Sequence, residues 1–146
     1  MDDATQTPPG HFKVVAIIAL IWNLIGVAAF ARFMVMLGNP EAMSALPDEQ
    51  RAMIESTPAW AHAAYGVAVI AGAIGSLLLV LRKNLAGPVL VVSLAGILVQ
   101  QFHAFVVADG LANYGGQGLI MPIIVLAIGI YLVVLARQAK ANGWSS

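Results

Sequence analysis

Arg32, His62, Gln100 and His103 have side chains that suit recognition of a small molecule. A guanidinium offers five donors in a fixed fork and anchors an anion or a carbonyl. An imidazole donates or accepts a hydrogen bond and changes charge near neutral pH. Gln100 and His103 are three residues apart, so a helix carries both on one face. Gln101 and Asp109 follow closely. No catalytic signature accompanies them, and the expectation is a non-enzymatic protein.

Composition says what must position these groups. The chain has 146 residues, of which 60% are apolar and 10% charged. An ordinary soluble domain is about 25% charged. Mean hydropathy is +0.88. Seven Lys+Arg balance seven Asp+Glu. Fourteen charges cannot cover the surface of a soluble globule of this length. That excludes a soluble enzyme and a disordered tail. A nucleic-acid partner is excluded too, since it needs clustered basic residues. There is no cysteine, hence no disulfide, thiolate metal site, iron–sulfur cluster or thiol redox relay. What remains is a single-domain integral membrane protein whose main partner is the lipid bilayer.

A spanning helix needs about 20 apolar residues to cross about 30 Å of hydrocarbon. Four segments qualify, over about residues 14–37, 58–81, 85–108 and 117–136, the last with a polar extension towards Ala141. None alternates apolar and polar residues as a barrel strand does. The expected fold is all-α, a four-helix up-down bundle. Thr57-Pro58 has the form of an N-cap followed by proline at the first helical position. Arg82-Lys83-Asn84 is a tight turn, and Asn113 to Gly116 is another. The loop of residues 38–57 has helix starts at Asn39-Pro40-Glu41 and Pro47-Asp48-Glu49. It reads as one or two short interfacial helices, or as an irregular acidic loop. Lys13, Arg82, Lys83, Arg137 and Lys140 fall on one side of such a bundle, which predicts both termini in the cytoplasm. A cleaved signal peptide is disfavoured. The first span exceeds the usual apolar stretch of about 7–15 residues, and Asp2 and Asp3 precede it. Phe12, Trp60 and Tyr114 suit aromatic belts, and Trp144 a tail anchor on the cytoplasmic face.

With that topology, Arg32, His62, Gln100, Gln101 and His103 all fall in the outer half of the membrane. One reading is a polar pocket ringed by Arg32, His62, Gln100 and His103. The other has Arg32 snorkelling to the headgroups, the histidines at the interface and the glutamines bonding each other. Asn23 is nine residues from Arg32, so at about 100° per residue it points to the opposite face. It suits a bond to a neighbouring helix. Gly72, Gly75 and Ser76 belong to small-xxx-small patterns and suit close helix packing, within the chain or in a homo-oligomer. Ser76 and Ser93 can bond their own backbone. Histidines at matched depth also admit a haem, and His62, His103, Asp109, Met34 and Met36 a metal. Neither pattern is specific, and no cofactor is expected.

Several strings match a group of known sequences over nearly the whole chain. They are Trp22 to Val27, Pro58-Ala59-Trp60, Gly75 to Leu79 leading into Arg82-Lys83, and Ser93-Leu94. Gln100-x-x-His103-x-Phe105, Tyr114-Gly115 and the tail Lys140 to Trp144 complete the set. The chain thereby resembles small bacterial inner-membrane proteins with four transmembrane helices, some labelled sugar transporter. Its shape is similar to DoxX-like proteins. The resemblance implies a bacterial inner-membrane location but brings no substrate, reaction or site residue. The expected function is binding or transport of a small polar or amphipathic molecule through the outer-half site. The alternatives are an accessory subunit of a larger membrane complex, and a haem- or quinone-linked oxidoreductase.

Overall fold

A computed structural model describes residues 6–146, and of Asn113 and Tyr114 the backbone only. Asp2, Asp3 and the Tyr114 ring therefore lie outside the described residues. The architecture is all-helical, with no strand among the described residues. Four helical segments are long and apolar enough to cross a membrane: Gly10–Leu37, Ala59–Val80, Ala86–Val107 and Gly116–Ala141.

Helix α1 is Gly10–Leu37. It starts a turn earlier than apolarity alone indicates. Pro9 sets an extended entry, and Phe12 is buried edge-on against Trp144. Phe12 is therefore a core residue rather than part of an aromatic belt. The loop that follows folds into α2 (Pro40–Ser44) and α3 (Asp48–Ser56). The Asn39 side chain caps α2, accepting from the backbone N–H of Glu41 at 3.0 Å and Ala42 at 3.3 Å. Helix α4 is Ala59–Val80. Thr57 does not cap it, because its hydroxyl turns back to the Met53 carbonyl at 2.8 Å and Pro58 takes the cap position.

Helix α5 (Ala86–Phe102) runs into a π-helical turn, His103–Val107. Helix α6 (Gly110–Tyr114) and a short 3₁₀ turn lead to α7 (Ile120–Ala141). Pro88 and Pro122 both fall in first turns, where a missing N–H costs little.

The spans pack in sequence: α1 on α4, α4 on α5, α5 on α7. The α4–α5 contact is the most extensive. It brings Gly75 to Leu90, Gly72 to Ser93 and Gly96 to Ala68, so these two helices are antiparallel. All four spans meet in one core at the end holding the chain termini. Phe12, Ala16 and Ala19 join Leu79, Ala86, Leu90, Leu132, Leu135 and Ala139 there.

The tail fastens that end. The Gln6 N–H donates to the Gly143 carbonyl at 2.8 Å, and the Ser146 N–H to the Arg82 carbonyl at 2.9 Å. The Arg82 guanidinium donates from Nε to the Trp144 carbonyl at 2.6 Å and from Nη2 to the Gln6 carbonyl at 2.9 Å. Arg82 adopts a left-handed backbone with φ 58°, which closes the α4–α5 turn. Arg82→Ala keeps that backbone demand and removes both guanidinium bonds. Charged hydrogen bonds of this kind are worth about 1.5–3 kcal/mol each when buried. With Arg82 half-buried, we expect a loss of about 2 kcal/mol in all, read as a lower thermal midpoint in detergent. An unchanged midpoint would show that the tail is held without Arg82.

Candidate functional site: two adjacent cavities in the helix bundle

Small residues set the packing from which the site opens. Gly66, Gly72, Gly75 and Ser76 are all buried on α4. A Cβ on Gly66 would lie 2.8 Å from the Phe30 ring, and one on Gly75 2.6 Å from Leu90. A Cβ on Gly72 would run into the Asn23 amide. Asn23 donates from Nδ2 to Ser76 Oγ at 3.1 Å and to the Ala19 carbonyl at 2.9 Å. Ser93 donates across to the Ala68 carbonyl at 2.6 Å. Ser76 and Ser93 thus tie helix to helix, where the sequence suggested bonds within their own helices. Such bonds are worth about 1 kcal/mol in membranes. Gly96 belongs with this set, though no small-xxx-small pattern marks it. Its backbone lies so close to α4 that a Cβ would stand 2.8 Å from the Ala68 nitrogen and 2.9 Å from the Ala64 oxygen.

The first cavity is about 260 Å³. His62, Gln100 and His103 line it together with Tyr65, Phe33 and Thr57. Met53 and Ile54 of α3 form a further wall of this chamber. The His62 ring sits 5.2 Å from Phe33 and the His103 ring 5.2 Å from Trp60, edge to face in the latter pair. His103 is 7% exposed. It opens the π turn, in which the Ala108 N–H donates to the His103 carbonyl at 2.8 Å, five residues back. Beyond it Asp109 takes a left-handed conformation with φ 50°. Gly110 then packs on the Ala104 carbonyl, where a Cβ would collide. The Asp109-Gly110 pair lets the chain turn back against the π turn.

The structure thus brings three of the four expected site residues together. It separates Arg32 from them. Phe33 turns toward α4 and its histidine, and Arg32, one residue earlier, is rotated by about 100° and exposed. Nor do the glutamines bond each other. Gln101 Nε2 donates to the Pro122 carbonyl at 2.8 Å and clips α5 to α7. The Gln100 side chain carries no hydrogen bond to another described residue, and Gln100 lines both cavities. Among the described residues no three histidine or carboxylate groups converge as a metal site. Asp109 is exposed.

A second and larger cavity, about 380 Å³, lies below the first. Its volume falls within the ordinary range of ligand pockets. All four spans line it, with Trp22, Ile25 and Ala29 from α1, Val69 from α4, Ile97 from α5 and Val125 from α7. Asn23 and Ser93 reach it, but both are engaged in helix-to-helix bonds. Apart from these two, Tyr65 and Gln100, the lining is apolar. Tyr65 and Gln100 line both cavities and form the boundary between them. Sequence reasoning missed this chamber. Its walls are common apolar residues from four helices, and no local pattern marks them.

Fold and site together define a multi-pass helical membrane protein with an apolar chamber capped by a histidine-lined one. Comparison with protein families, with curated proteins and with solved structures finds no match.

Proposed function

We propose that this chain is a small non-enzymatic protein of the bacterial inner membrane that binds, and moves, a small amphipathic molecule. Its four spans run in up-down order with both termini in the cytoplasm. Lys13, Arg82, Lys83, Arg137 and Lys140 support that orientation, since basic residues near span ends favour the cytoplasmic side. The observation that carries the functional reading is the shared wall of Tyr65 and Gln100. It sets an apolar chamber beside one lined by His62, Gln100 and His103. One molecule with an apolar body and a polar end fits both. Its apolar part leaves the lipid for an apolar wall at little cost. Its polar end trades interfacial water for imidazole and amide partners.

Trp22 lines the apolar chamber and reports occupancy. The test uses protein whose only tryptophan is Trp22, made by Trp60→Phe and Trp144→Phe, titrated with ω-bromododecanol. Bromine in the chamber quenches Trp22, and the expected quenching saturates. His103→Ala weakens binding about fivefold, the size of one neutral hydrogen bond. Quenching that grows linearly with probe, unaffected by His103→Ala, would mean partitioning into detergent alone and would sink the reading.

A further inference from the structure

Resting on that two-chamber reading, we propose that the occupant is a single-chain anionic amphiphile that enters sideways from the bilayer between α1 and α7, its negative charge balanced by Arg32 at the edge of α1. Three observations lead there.

The first is where the large cavity opens. At the termini end α1 and α7 share one core through Ala16, Ala19, Leu132 and Ala139. Further along, α1 packs on α4 and α7 on α5, with the cavity between them. Ile25 of α1 and Met121 of α7 both line it, yet they are 63% and 56% exposed. They are the two lips of a side opening. On the water side, Met53 and Ile54 of α3 cover the upper chamber.

The second is charge. Arg32 follows Ile25 by seven residues, two helical turns, on the same edge of α1. It is one turn above Ala29, another lining residue. It is exposed and makes no ion pair or hydrogen bond among the described residues. No carboxylate occurs in any of the four spanning segments. The Arg32 guanidinium pairs with no carboxylate among the described residues, so a carboxylate or phosphate head complements it.

The third is size. A methylene fills about the space of a water molecule, ~30 Å³. A cavity of about 380 Å³ then takes at least about a dozen, the length of one medium alkyl chain.

The experiment compares ω-bromododecanoic acid with ω-bromododecanol on the Trp22-only protein in non-ionic detergent. At about pH 9 the acid is ionised. The acid is expected to bind about tenfold more tightly than the alcohol. Arg32→Gln brings the two within about twofold, and Arg32→Lys restores part of the difference. Dioleoyl phosphatidylglycerol fails to displace the acid, whereas oleate displaces it. Equal binding of acid and alcohol in the parent protein overturns the anion inference and leaves the two-chamber reading standing. Displacement by the phospholipid as effective as by oleate overturns the single-chain assignment. Absence of saturable quenching by either probe overturns both readings.

Discussion

Gly96→Leu is expected to be the most damaging substitution in the protein, costing about 3 kcal/mol or more. Overpacking a core usually costs about 1–3 kcal/mol because side chains yield. At Gly96 the obstacles are the Ala68 nitrogen and the Ala64 oxygen, backbone atoms of a rigid helix. Helices α4 and α5 must move apart to admit even a Cβ. That motion stretches the Ser93 bond to the Ala68 carbonyl and loosens the most extensive helix contact in the fold. Gly87 is the natural control. A Cβ there meets only the Ala136 methyl at 4.0 Å. Gly87→Ala should be neutral, or stabilising by up to about 1 kcal/mol through helix propensity. Unfolding of both variants in mild detergent, followed by helix ellipticity, separates the cases. A Gly96→Leu protein within about 0.5 kcal/mol of the parent would contradict the packing described for α4 and α5.

The largest effect on binding is expected from Ala29→Phe. Ala29 lines the large cavity and is itself exposed, so a ring can swing into the cavity without displacing a core residue. Filling space that protein atoms leave empty should preserve stability or raise it by about 1 kcal/mol. Affinity for ω-bromododecanol should fall more than tenfold, because ring and alkyl chain compete for one volume. Ala28→Phe adds the same ring one residue away, at an exposed position outside the cavity lining, and should bind normally. Parent-like affinity in Ala29→Phe would move the ligand out of this chamber.

Much of the scaffold was legible from local composition. The spans follow from apolar length, and the tight turn at Arg82 and the capped start of α2 at Asn39 follow from short-range chemistry. Asn23 reaches the neighbouring helix, as its place in an apolar span requires. The errors have a common origin. Thr57 has the form of a cap, yet its hydroxyl finds the Met53 carbonyl first, because α3 runs almost to the start of α4. Phe12 suits an interface, but the returning tail covers it with Trp144. Arg32 shares a depth with His62 and His103 without sharing a face with them. Depth is linear along a helix, whereas facing depends on phase and on which neighbour packs where.

The sequence by itself determined an all-helical chain with four membrane-length apolar helices and its few polar span residues grouped in depth. These properties depend on residues close together in the chain. Only the tertiary structure decided that His62, Gln100 and His103 share a chamber, that Arg32 stands apart from them, and that a larger apolar chamber lies beneath. Those outcomes arise where Gly72, Gly75 and Gly96 draw α4 to its neighbours, while α1 and α7 have no such close contact away from the termini. A cavity is the space that packing leaves between helices distant in sequence, so no single segment encodes it.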